Sequence, residues 1–418
     1  MTSHFHACCL ALALSGCGVS PARLDAAPLP VVAPAAPAVS VTAGPRDAVR
    51  TFAAPDARAI AQASLAAQPA DQGHALETLW RWLTGPLHRY KPATASPVAA
   101  PAWQPQRFML GANLPWINYG GDFGANAWSP DGGVGRAAPR QKLAATLDRL
   151  KAQGITHLRW FMFCDGRAGL RFSADGTPTG VDAYMYADLD AALAEARARG
   201  VRITFSVVDF GFFQPGELSG GVQVRGHGDV ARDPAKRRAF VQAVLVPLFD
   251  KYGTDPVIEA WDAVNEPEWA TFGVGSFKPG DAVASTDMRA YIGEVVDAVH
   301  GHTRQWATVG SASTRYLGLV KGLGLDVYHA HWYDHFEAFA PLAKPAAKFD
   351  LDKPLVLGEF PTKNSKKSVG QILDAVQGAG YAGAMPWSVL ATDDATDYAG
   401  AEAGFAAWAH DHRAQLAP

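Results

Sequence analysis

The stretch "IEAWDAVNEPEW", Ile258 to Trp269, begins as a buried strand, with Ile258, Ala260, Trp261 and Val264, and ends on Asn265, Glu266 and Pro267. A carboxylate at the end of an apolar run is costly to bury unless something holds it or uses it. Glu266 therefore needs a purpose and a partner. Do similar runs recur along the chain?

They do. From Phe108 onward, eight apolar runs alternate with amphipathic pieces. The runs are "FMLGANLPW", "THLRWFMF", "RITFSVVDF", "VIEAWDAVN", "WATVGSAS", "DVYHAHWY", "PLVLGEF" and "YAGAMPWSVL". Between them lie "QKLAATLDRLKAQG", "ADLDAALAEARARG", "KRRAFVQAVLVPLFDKYG", "MRAYIGEVVDAVHG" and "SVGQILDAVQGAG", several of which end in glycine as a helix C-terminus does. Nearly continuous apolar strands separated by helices imply a parallel sheet covered on its outer face. Eight such units suit a (β/α)8 TIM barrel over residues 106–418. A doubly wound open sheet is the alternative, and the lack of a glycine-rich phosphate loop after the first strand weakens it.

A barrel of this kind places its site at the C-terminal ends of the strands. Those ends carry Asn113 and Trp116, Arg159, Asp209, Asn265 and Glu266, His331 and Tyr333, Glu359, and Trp387. Acidic, polar and aromatic groups thus gather on one face, where a purely structural barrel has little reason to put two carboxylates.

Asn265-Glu266-Pro267 after the fourth run and "LGEF", Leu357 to Phe360, after the seventh resemble the two signatures of the clan A retaining glycoside hydrolases, especially the family five cellulase and mannanase group. The resemblance covers roughly Phe108 to the C-terminus. It implies that Glu266 is the general acid/base and Glu359 the nucleophile. Asn265 would bond the sugar 2-hydroxyl, and Arg159 would support the nucleophile. His331 and Tyr333 resemble the sixth-strand pair beside the carboxylates, and Trp387 the tryptophan that floors the cleavage subsite. Trp116, Trp269 and Asp209 are further candidates for substrate contact. One element departs: Asp209 is followed by Phe210 and Gly211, where family five usually has a histidine two positions beyond the aspartate.

The chemistry is consistent with those roles. Glycoside hydrolysis needs one carboxylic acid to protonate the leaving oxygen and one carboxylate to attack the cationic sugar. The acid needs a raised pKa, from an apolar setting that Trp261 and Trp269 would help to dry. The nucleophile must stay ionised, which Arg159 and the Tyr333 hydroxyl would favour. A plain salt-bridge role for the two glutamates, or for Arg159, is the bland alternative. His329, His331 and His335 raise metal binding, but zinc sites cluster three or four N or S ligands, so neither a metal nor any other cofactor is expected. "NYGGDFG", Asn118 to Gly124, reads equally as a structural turn or a substrate loop. Trp332 should point outward, and "HDH", His410 to His412, should be a solvated last turn.

The rest of the sequence bounds the setting. The net charge is -3, from 37 basic and 40 acidic residues, which gives no basic stripe for nucleic acid. Residues 1–17 resemble a secretory leader, too short to span a bilayer, ending in the lipoprotein-like Leu14-Ser15-Gly16-Cys17. Lipidation at Cys17 is the expectation. Residues 18–105 are rich in Ala and Pro and read as a tether, with a short helical pattern at Leu76, Leu79, Trp80 and Leu83. Cys164 is the lone cysteine beyond the leader, which leaves it a packed thiol with no disulfide partner there. Together these features read as an exported, lipid-anchored, monomeric enzyme on the outer membrane, or otherwise periplasmic or secreted, acting on a β-linked polysaccharide or oligosaccharide. A transglycosylase, a polysaccharide-trimming enzyme of export, and an inactive carbohydrate-binding lipoprotein are the rival readings.

Overall fold

The computed structural model of the chain describes residues 107–417. The leader with Cys17, the tether and its helical pattern lie outside the described residues.

Eight parallel strands close into a barrel. They are β1 (Met109–Asn113), β2 (His157–Phe161), β3 (Arg202–Ser206), β4 (Ile258–Asn265), β5 (Trp306–Ser311), β6 (Tyr328–His331), β7 (Leu355–Glu359) and β8 (Gly383–Ala384). Each pairs with its sequence neighbours, and β8 closes the ring on β1 through Met109 opposite Gly383. All eight apolar runs fall on these strands. Alternation sets what each side chain does. On β4, Asp262 faces the barrel interior, where Arg159 reaches it. Trp261 lies on the other side, against Phe205 and Phe249, with its indole N–H on Gln305. Trp261 therefore packs the outer layer and does not dry the site, contrary to the sequence reading.

Five connections carry an α-helix, α1 (Ala137–Ala152), α2 (Met185–Arg199), α3 (Pro234–Ala239, continued through Phe240–Leu245 and Val246–Tyr252), α4 (Ser285–His302) and α5 (Val369–Gly378), and α6 (Tyr398–Asp411) follows β8. The links after β5 and β6 carry only 3-10 turns, Thr314–Leu319, Asp334–Phe336 and Ala346–Phe349. α1 buries Leu143, Thr146, Leu147 and Leu150, one face at helical spacing. α3 winds as a π-helix over Phe240–Leu245, just before Pro247. Proline has no N–H to give to the preceding turn, and the wider π turn absorbs that loss. Gly154, Gly200 and Gly380 end their helices with left-handed φ of 79°, 68° and 80°. Gly301 does not act as a stop, because α4 continues through His302.

Two hairpins and a tied loop shape the face at the strand ends. Leu170–Phe172 pairs with Pro178–Val181 after β2, and Glu217–Ser219 with Val222–Val224 after β3. The Asn118–Gly124 loop is pinned by buried Asp122, which accepts from the Ile117 and Asn118 amides and the Trp160 indole. Among the described residues no helix is long and apolar enough to cross a membrane.

Candidate active site

Glu266 leaves β4 in the left-handed region, with φ 47°. This conformation costs a non-glycine residue about 1 kcal/mol. It is held by the Glu266 amide donating to the Gly310 carbonyl at 2.7 Å, and by Pro267 starting a 3-10 turn, Pro267–Ala270. The turn returns Trp269, whose indole N–H donates to Glu266 Oε2 at 2.8 Å. Burial pushes the Glu266 carboxyl up to about 7, against the opposing pull of the Trp269 hydrogen bond and Arg159.

Glu359 ends β7. Arg159 Nη1 donates to its Oε1 at 2.8 Å, and the Tyr333 hydroxyl to its Oε2 at 2.8 Å. Burial raises this carboxyl as well, with Glu266 adding to the effect and His331, Arg159 and Tyr333 opposing it. The expected supports are thus in place, yet burial outweighs them in direction. An ion pair and a hydroxyl act on Glu359, whereas Glu266 has an indole donor.

His331 joins the pair. Its Nδ1 lies 2.8 Å from Glu266 Oε1 and 3.4 Å from Glu359 Oε2. Burial lowers its pKa to about 4, so the imidazole is neutral. Gly310 and Gly358 flank the ring, and a Cβ on either would come 3.1 Å from it. Glu266, His331 and Glu359 each offer a ligand atom within 4.8 Å of the others, a set that could hold a cation. The Arg159 guanidinium already occupies Glu359, and a second positive charge beside it would be repelled.

Arg159, fully buried, organises the floor. Its Nε and Nη2 donate to Asp262 Oδ2, and Nη2 also to Asn265 Oδ1 at 2.7 Å. Nη1 also reaches Asn113 Oδ1 at 3.2 Å. Asn113 Nδ2 in turn donates to the Gly358 carbonyl at 2.8 Å. Asp262 did not emerge from the sequence. It is one of two acids inside the apolar strand, with Glu259, and its parity marks it as inward-facing without naming Arg159 as its partner.

The aromatic candidates split into two groups. Trp387 is fixed by its indole N–H on Asp393 and meets Trp116 edge-on at 6.0 Å. Trp269 stands apart from them, bonded to Glu266 and edge-on to Tyr316 at 6.0 Å. Asp209 bridges Asn265 backbone to backbone, but its carboxylate serves its own turn, accepting from the Gly211 amide and the Cys164 thiol. Burial and Asp165 push it to about 7. Cys164 is buried and packed. Trp332 is buried, bonded to Glu337. Glu268 is a further buried carboxyl that the sequence reading passed over. Its Oε2 accepts from the Ala312 amide at 3.0 Å, and burial pushes it to about 8.

The chain is 26% identical over 326 residues to the mannan endo-1,4-beta-mannosidase of Mytilus edulis, covering 67% of this chain and 83% of that protein. It is 23% identical over 335 residues to the enzyme of the same name from Cryptopygus antarcticus, covering 69% and 82%. The crystal structure of endo-1,4-beta-mannanase from Eisenia fetida superposes with a TM-score of 0.61 at 26% identity, over 72% of this chain and 90% of that one. No family model matches the chain. With an eight-stranded barrel and two glutamates closing on one histidine, this likeness defines the class: the chain is a glycoside hydrolase. Within that class it resembles the mannanases of family five.

Proposed function

We propose that the protein is a retaining endo-β-1,4-mannanase. The observation that carries the mechanism is the closeness of Glu266 and Glu359, whose nearest oxygens lie within 4.8 Å across His331. Retaining enzymes set their carboxyls about 5–5.5 Å apart, and inverting ones about 6.5–9.5 Å to admit a water. The substrate follows from the mannanase relatives.

Glu359 Oε attacks the anomeric carbon while Glu266 gives its proton to the glycosidic oxygen, breaking that bond and freeing the leaving chain. Glu266, now ionised, takes a proton from water. The water oxygen bonds to the anomeric carbon and releases Glu359. Arg159 and Tyr333 stabilise Glu359 as a leaving carboxylate, and Asn265 holds the sugar 2-hydroxyl. Trp387 and Trp116 stack on the sugar to be cleaved, and Trp269 on the departing side. We further propose that Cys17 is lipidated, that residues 18–105 tether the barrel of residues 106–418 to the outer membrane, and that the barrel acts as a monomer.

Reducing-end release from linear β-1,4-mannan, cellulose and xylan tests the substrate. Mannan should be hydrolysed fastest, with an early fall in viscosity from internal cuts. Cellulose hydrolysis without mannan hydrolysis would overturn the assignment.

A further inference from the structure

Among the described residues few large apolar side chains are exposed, and two of them, Tyr119 at 37% and Trp128 at 49%, stand in the loop after β1. They are not isolated. Trp387 meets Trp116 at 6.0 Å, and Trp116 meets Tyr119 at 4.4 Å. The Arg167 guanidinium lies 4.2 Å from the Tyr119 ring and 5.5 Å from that of Trp128. A continuous row of rings and one cation thus leads from the cleavage subsite to the rim.

The row is held in place. Asp165 grips Arg167 Nε and Nη2 at 2.8 and 2.5 Å. Asn126 Nδ2 donates to the Arg167 carbonyl, and Asn126 Oδ1 accepts from the Trp128 amide at 2.9 Å. Gly120, with φ 61°, lets the Arg167 stem pass where a Cβ would come 2.5 Å from Cδ. Gly220, at the tip of the hairpin after β3, does the same for the Trp128 indole, 2.7 Å from a Cβ there. Exposed aromatic surface that is rigid and continuous with a cleft is a binding feature rather than a packing remnant.

We propose that Tyr119, Arg167 and Trp128 form an extended subsite for the β-1,4-mannan chain, holding sugar units beyond those at Trp387 and Trp116. The inference rests on the mannanase reading. Pyranose rings present C–H faces to aromatic side chains, and their hydroxyls accept from a guanidinium. The row follows the arc β8, β1, β2, away from β4 and β5, where the leaving chain meets Glu266. It therefore takes the non-reducing side of the substrate.

The test is the ratio of KM for mannohexaose to KM for mannotriose, in the wild type and in Trp128→Ala. Losing one stacked ring should raise that ratio about tenfold. Trp128→Phe, which keeps a ring, should return most of it. Equal ratios in all three proteins would overturn the subsite. A wild type that cleaves neither oligosaccharide would instead overturn the mannan reading, and this inference with it, before any variant is compared.

Discussion

Trp269 donates its indole N–H to Glu266 Oε2 at 2.8 Å from only three residues further along the chain. The acid and the group that restrains its pKa therefore belong to one 3-10 turn. The hydrogen bond stabilises the ionised form of Glu266 and lowers a pKa that burial has raised to about 7. In the proposed mechanism Glu266 acts in its protonated form, so activity should fall as pH rises through about 7. Trp269→Phe removes the donor and should move that alkaline limb to higher pH, measured as kcat/KM against pH. An unmoved limb would show that Trp269 is only a platform.

Glu359→Gln should leave almost no turnover, since the proposed mechanism has no other group to form the glycosyl-enzyme. Glu266→Ala should retain the first step on an activated aryl mannoside, whose leaving group needs no proton, and stall at the second. Added azide should restore turnover and give a β-glycosyl azide. Proton NMR of the first wild-type product should show the β-anomer. An initial α-anomer would identify an inverting enzyme and remove Glu359 from the nucleophile's role.

Arg159 satisfies Asp262, Asn265, Asn113 and Glu359 at once, with no exposure to water. Arg159→Ala leaves two buried carboxylates uncompensated, and breaking a buried pair in this way costs about 3–5 kcal/mol. Denaturant unfolding should show a loss of that size. Arg159→Lys keeps the charge but cannot span Asp262 and Glu359 together, so it should recover part of the stability and little of the activity.

Asp122, Asp209, Glu266 and Glu268 all have carboxyls raised by burial, to about 7, 7, 7 and 8. A raised folded-state pKa contributes stability below the unfolded value, and this is lost as pH rises through the folded value. Thermal stability should therefore decline between roughly pH 5 and pH 8. Glu268→Gln keeps an acceptor for the Ala312 amide but cannot ionise, so its decline should be shallower. A melting temperature that varied with pH identically in both proteins would remove Glu268 from the effect.

Mass spectrometry of the native N-terminus should find an acylated Cys17. A mature chain that begins elsewhere without acyl groups would refute the lipid anchor.

Much of this architecture was legible because buried parallel strands are written as apolar runs, and the candidate site residues sit where the runs end. Glu266 and Glu359 could be read that way. Asp262 was passed over, since it lies inside β4 beside outward-facing Trp261, and β4 pairs with β3 rather than with the β2 that carries Arg159, so only the closed barrel shows that Arg159 reaches it. α6 was hard to see because Gly400, Gly404 and many alanines blur its apolar face. The equal readings of Asn118–Gly124 turned on Asp122, whose three donors come together only after folding. They make the segment a tied turn, and within it Tyr119 remains exposed.

The glycines that flank His331 also limit how the enzyme can be redesigned. A side chain at Gly310 would collide with the Arg159 guanidinium, which four partners keep from moving aside, and one at Gly358 would press on both His329 and His331. A mutational library aimed at new substrates would spend its members at Gly310 on proteins that must displace Arg159, and at Gly358 on proteins that must shift His329 and His331. The loop with Tyr119 and Trp128, by contrast, offers side chains at the rim that can change without touching that floor.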